Sequence, residues 1–191
     1  MASVILLHSA LGLTQPVVDW AESLRADGHL VVTPDMFGGR TFHDLDEGTA
    51  FAESEGGPPA LVDAVLAQAA GLEGPRVYAG FSLGAAVAEL LALTRPDAGG
   101  LVLMHGAVSP AWFGVDSWPA GLRAQLHYAV EDPRGEPEEN AAFLALAGAS
   151  CETFVYGADG HLFAFEDWRE HDGEAAHRMH EHVGDFLSSL D

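Results

Sequence analysis

Short apolar runs recur along this chain at Ser3–Leu7, Leu30–Thr33, Val77–Ala79, Leu101–Met104, Ala124–Ala129 and Thr153–Tyr156. Segments of helical spacing separate most of them. Ser3–Leu7 is apolar at successive positions rather than alternating, as a parallel strand covered on both faces requires. Val17, Trp20, Ala21 and Leu24 form one helical face, with Thr14 as its expected N-cap and Gly28 ending the helix. Ala60–Leu72, Leu83–Thr94 and Glu138–Gly148 read as further helices. Asp172 is expected to cap a last one, with Ala176, Met179, Val183, Phe186, Leu187 and Leu190 on its face. Thr41–Pro59 is polar and glycine-bearing and is expected to be irregular, with one helical turn near Ala50–Glu53. The alternation predicts an α/β fold: a mostly parallel sheet of about six strands in the order 2-1-3-4-5-6, with helices on both faces. No repeat or linker divides the chain, so residues 1–191 are expected to form one domain.

Composition narrows the function. The formal net charge is −21 and every basic residue is arginine. Such a chain repels phosphate, which argues against nucleic acid and anionic membranes as partners. No apolar run reaches the length of a membrane span. Met1–Leu7 lacks the basic region and cleavage pattern of a signal peptide. With Cys151 as the single cysteine, no disulfide framework forms within the chain. These features predict a cytoplasmic protein with a small-molecule partner, as a monomer or small homo-oligomer.

The sharpest motif is Gly80-Phe81-Ser82-Leu83-Gly84, placed between a strand and a helix. A serine there sits on a sharp strand-to-helix turn with its hydroxyl clear of the sheet. The Leu83 amide, at the helix N-terminus, points where a developing oxyanion could sit. Asp132 follows the fifth strand and His161 the sixth. All three residues therefore fall at the carboxyl edge of the sheet, where such folds bind ligands. A serine needs a base to take its proton, imidazole does so near neutral pH, and a carboxylate fixes the imidazole tautomer. Glu131 and Asp159 compete with Asp132 for the last role.

Four stretches carry a resemblance: Pro34-Asp35-Met36-Phe37, Gly80-Phe81-Ser82-Leu83-Gly84, Asp132-Pro133 and Gly160-His161-Leu162-Phe163-Ala164. Together they resemble the dienelactone hydrolase family of the α/β-hydrolases, over Val4 to Leu187. The resemblance implies a hydrolase of small esters and lactones, with neither a metal nor an organic cofactor. It implies Ser82, Asp132 and His161 as catalytic residues, and the amides of Leu83 and Ala10 as the oxyanion hole. Founding members carry cysteine where this chain has Ser82, and a glutamate about where Ser9 stands. Of the two arginines that hold a substrate carboxylate there, one position lies near Arg40 and the other is taken by Phe165.

Other residues are open to two readings. His8, beside the oxyanion loop, is either a pocket residue or a structural one. Trp112, Phe113 and Trp118 either form an apolar pocket or cap the sheet end. His177, His180 and His182 lie on the last helix; His-x-x-His with Glu181 lacks the His-Glu-x-x-His order of a metal site, so a solvated helix face is the expected reading and no metal is expected. The expected substrate-binding residues are Arg40, His8 and Trp112. The alternative functions are a carboxylesterase or thioesterase of unrelated substrate, and a non-catalytic binding protein on the same fold.

Overall fold

The computed structural model describes residues 1–190. One six-stranded sheet runs in the order β2-β1-β3-β4-β5-β6. Its strands are β1 (Ser3–Leu7), β2 (Leu30–Val32), β3 (Arg76–Phe81), β4 (Ala98–Met104), β5 (Ala124–Ala129) and β6 (Cys151–Tyr156). Every pairing is parallel. The helices are α1 (Gln15–Ala26), α2 (Leu45–Ser54), α3 (Pro58–Gln68), α4 (Leu83–Thr94), α5 (Pro137–Ala147) and α6 (Gly173–Ser188), with 3₁₀ turns at Pro110–Phe113 and Gly148–Ser150.

The unbroken apolar strands are unbroken because both sheet faces are covered. Val4, Ile5, Leu6 and Leu7 have no exposed surface, and each such side chain contributes about 1.5–3 kcal/mol when buried. Alternate residues serve opposite cores. Val4, Leu6, Phe81 and Met104 pack with Trp20 and Leu24 of α1 and Met179 and Val183 of α6. Ile5, Leu7, Tyr78 and Leu103 pack with Val65 of α3, Leu91 of α4 and Phe143 of α5. α4 lies deepest, which explains a sequence apolar nearly all round.

Two local expectations are corrected, and a third holds in position only. The stretch expected to be irregular holds a full helix, α2. The Asp44 carboxylate caps it, accepting from the N–H groups of Asp46 at 2.8 Å and Glu47 at 3.2 Å, and those two acids favour the positive helix end. Gly48 is no breaker. A Cβ there would stand 1.8 Å from the Ala10 carbonyl oxygen, so the glycine lets α2 press on the loop after β1. α3 starts two residues early, because Pro58 and Pro59 occupy its first turn, where a missing N–H costs nothing. Thr14 stands at the N-cap of α1, yet its hydroxyl makes no capping bond and is buried without a partner. Asp172 does cap α6, accepting from Glu174 and Ala175. Among the described residues, no helix is long and apolar enough to cross a membrane.

Candidate active site

β3 ends in a turn that only a crowded backbone can make. Ser82 has φ 54° and ψ −112°, one of two non-glycine residues with positive φ among those described. Such a conformation costs about 1–3 kcal/mol and persists only where its surroundings enforce it. The enforcement is visible. The Ser82 N–H donates to the Met104 carbonyl at 2.8 Å, and the Ser82 carbonyl accepts from Ala85 and Ala86 to start α4. Both flanking glycines are required by contact. A Cβ on Gly80 would lie 2.2 Å from the Gly84 oxygen, and one on Gly84 would lie 2.5 Å from the oxygens of Leu7 and His8. Gly84→Ala should therefore push α4 off β1 and lower stability by about 1–3 kcal/mol. A urea-unfolding midpoint equal to that of the unmodified protein would contradict this contact.

His161 approaches from the loop after β6. Its Nε2 lies 2.6 Å from Ser82 Oγ, and its Nδ1 lies 2.8 Å from Asp132 Oδ2. A carboxylate only accepts, so the ring proton sits on Nδ1 and Nε2 is left to accept from the serine hydroxyl. Asp132 is fixed on its other oxygen, which takes the Arg134 N–H at 2.8 Å, within a turn closed by the Gly135 N–H on the Asp132 carbonyl. Glu131 and Asp159 are exposed and make no bond to His161. Glu170 holds the histidine loop. Its carboxylate accepts the His161 N–H at 2.9 Å and the Trp168 indole N–H at 3.1 Å. Burial pushes the Glu170 carboxyl up, but the bonds from Trp168 and His161 together with the Arg169 guanidinium outweigh it, and the group lies below its ordinary value. Gly160 makes this approach possible, since a Cβ there would meet the Glu170 Cβ at 2.3 Å.

The remaining predicted residues divide. The N–H groups of Leu83 and Ala10 have no acceptor among the described residues, so both are free for a ligand oxygen. Ser9 shapes the loop that carries Ala10: its hydroxyl takes the Leu11 N–H and its carbonyl takes the Gly12 N–H. Trp112 and Phe113 line a cavity of about 400 Å³ that opens on Ser82 and His161. Trp118 does not line it; its ring packs against Phe143 in the core. His8 is a structural clamp. It is fully buried, its Nδ1–H donates to the Ser9 carbonyl at 2.7 Å, and its Nε2 accepts the Met36 N–H at 2.9 Å. Burial lowers its pKa against the raising effects of the Ser9 carbonyl and Asp35. Arg40 is exposed and places its guanidinium over the Phe51 ring at 5.0 Å, off the cavity wall. Phe165 is buried against Phe81 and has no place in the cavity. No cluster of His, Cys, Asp or Glu suited to a metal ion occurs among the described residues.

Sequence reasoning missed several residues at this end of the sheet. His105 follows β4 with φ 70°, is buried against Phe163 and His161, and has no hydrogen-bond partner on either ring nitrogen. Burial, then the neighbouring His161 and His127, hold it well below the ordinary histidine range, so it is neutral. Its place at a strand end was the signal available. Three consecutive N–H groups beyond it are pegged by side chains. Ala107 donates to Asn140 Oδ1 at 2.8 Å, Val108 to Glu89 Oε2 at 3.1 Å and Ser109 to Glu139 Oε2 at 2.6 Å. These pegs fix the wall that presents Trp112 and Phe113.

Glu89 is fully buried, and its Oε1 has no partner. Burial pushes its carboxyl up to about 8, with Glu139 adding to the rise and the Val108 N–H opposing it. A raised acid pKa favours the folded state at low pH. Its stabilising effect is complete below about 4.5, the unfolded value, and is lost as pH rises to about 8. Glu89→Gln, an isostere of the protonated form, should remove that slope. Its thermal midpoint should match the unmodified protein near pH 4 and exceed it near pH 8, by stability on the order of 4 kcal/mol. Equal midpoints at the higher pH would overturn the assignment.

Comparison with known proteins bears on this geometry. A family model described as "Dienelactone hydrolase family" matches residues 1–190. No curated protein matches the chain. Among solved structures, a dienelactone hydrolase-like promiscuous phosphotriesterase from metagenomic libraries superposes with a TM-score of 0.75 at 20% identity, covering 100% of this chain and 87% of that one. A structure described under LipS and LipT, two metagenome-derived lipolytic enzymes, gives 0.71 at 14% identity, covering 98% and 94%. The esterase PE8 gives 0.67 at 16%, covering 100% and 93%. These likenesses show a shared fold.

Proposed function

The chain belongs to the dienelactone hydrolase family of ester-bond hydrolases, and from that premise we propose that it is a serine hydrolase of small esters or lactones acting through an acyl-enzyme on Ser82. The observation that carries this is the hydrogen-bonded series Ser82–His161–Asp132, aimed into the cavity beside two unpaired backbone N–H groups. Ser82 Oγ attacks the ester carbonyl as His161 Nε2 takes its proton. Asp132 holds the ring on the correct tautomer and stabilises its cation. The N–H groups of Leu83 and Ala10 receive the oxyanion, a contribution worth about 2.7–4 kcal/mol per donor in related chemistry. His161 then protonates the departing alcohol. Water, deprotonated by the same ring, attacks the acyl-serine and releases the acid. The strained turn serves this reading, since it keeps the hydroxyl off the helix and free for attack.

The residues are also consistent with a serine protein that needs no thiol control: Ser9 makes loop bonds where a glutamate would act on a cysteine. The lone Cys151 supports a cytoplasmic setting. The test is labelling with a fluorophosphonate probe alongside turnover of a short-chain p-nitrophenyl ester. Labelling at Ser82 together with turnover supports the enzyme. Absence of both would favour a binding protein on a hydrolase fold.

A further inference from the structure

The cavity's charges say which esters it admits. Arg134 is the only cationic side chain among the residues lining it, and Glu136 and Glu139 line it as well. The arginine is already occupied: its Nη2 lies 2.8 Å from Asp46 Oδ1, on the first turn of α2. A surface pair of this kind is weak in itself. A substrate carboxylate that displaced Asp46 would, however, leave Asp46 without its partner and would itself stand on the wall that carries Glu136 and Glu139. Arg40 offers no relief, being held over Phe51 away from the wall. The formal charge of −21 adds a repulsive field over the whole surface. Beyond Thr49, His105 and the catalytic pair, the wall is largely apolar, with Pro58, Pro59, Ala86, Val108, Trp112 and Phe113. Trp112 is 75% exposed, a large ring left open at the mouth of the cavity.

Resting on the esterase reading above, we infer that the site takes uncharged esters or lactones bearing an apolar group and rejects those carrying a carboxylate, with Asp46 and Glu136 as the specificity-determining anions. The apolar group lies along Pro58, Pro59 and the Trp112 ring. Asp46 acts by neutralising Arg134, the one cation that would otherwise attract an acid. Specificity here comes from repulsion of the wrong substrate as much as from attraction of the right one.

The experiment compares p-nitrophenyl butyrate with the mono-p-nitrophenyl ester of glutaric acid, which adds a carboxylate to a chain of similar length. The kcat/KM ratio, neutral over anionic, is expected to be roughly tenfold or more in the unmodified protein and to shrink at high salt, because screening weakens the repulsion. Asp46→Asn, which frees Arg134, is expected to lower that ratio severalfold. Glu136→Gln should do the same independently, so a folding defect in one variant leaves the other to decide. A ratio near one or below, or a ratio unmoved in both variants, overturns the inference while leaving the esterase intact. Failure to hydrolyse either ester, with no fluorophosphonate label on Ser82, overturns the esterase reading and the inference with it.

Discussion

Ser82→Ala is expected to lower kcat for p-nitrophenyl butyrate by about 10⁶-fold, the scale on which removal of a triad serine acts in related chemistry. What survives should be the small acceleration that binding and the oxyanion groups give alone. The fold should persist. The bonds that set the turn run through the Ser82 backbone, to Met104, Ala85 and Ala86, and the side chain takes no part in them. A second substitution separates chemistry from structure. Ser82→Gly should be just as inactive yet more stable than the unmodified protein, by about 1 kcal/mol or more, because glycine adopts φ 54° without strain. Loss of activity with a gain in stability marks a residue kept for function at the expense of folding. An active Ser82→Ala variant would remove the nucleophile from the account. A Ser82→Gly variant less stable than its parent would show that the turn is not strained.

Asp132→Asn is expected to lower kcat by about 10⁴-fold. The amide keeps the size of the carboxylate but presents a donor or a neutral acceptor to Nδ1, so the ring is no longer held with its proton there. Asparagine's oxygen can still take the Arg134 N–H, which preserves the turn. Asp159→Asn and Glu131→Gln are the controls. Both side chains are exposed and neither touches His161, so each should retain close to full activity. A larger loss at either control than at Asp132 would reassign the third member.

How far the sequence carries depends on where each feature's cause lies. β1 and β3 are legible because burial on both faces demands apolar residues at every position, and the turn at Ser82 because two flanking glycines are needed by contact. The parallel order follows from the alternation of strands and helices, as does the gathering of Ser82, Asp132 and His161 at one edge. α2 is not legible, because its contact with the Ala10 loop requires Gly48 at a position where a helix pattern shows an apolar side chain. The wall behind Trp112 is hidden for another reason. Glu89, Glu139 and Asn140 bond backbone N–H groups, and backbone donors leave no mark on residue type. Arg40 and Arg134 show the limit of position along the chain. Arg40 lies near the oxyanion loop, yet its stem turns over Phe51, whereas Arg134 reaches the cavity because it belongs to the Asp132 turn.

The central claim is that acyl transfer passes through Ser82, and rapid quenching during turnover tests it most directly. Protein mixed with p-nitrophenyl butyrate, acid-quenched in the first turnover and digested, is predicted to carry one butyryl group on the peptide containing Ser82. The same group should be absent from Ser82→Ala. Turnover with Ser82 unmodified at every time point, or an acyl group on another residue that decays at the catalytic rate, would contradict the account.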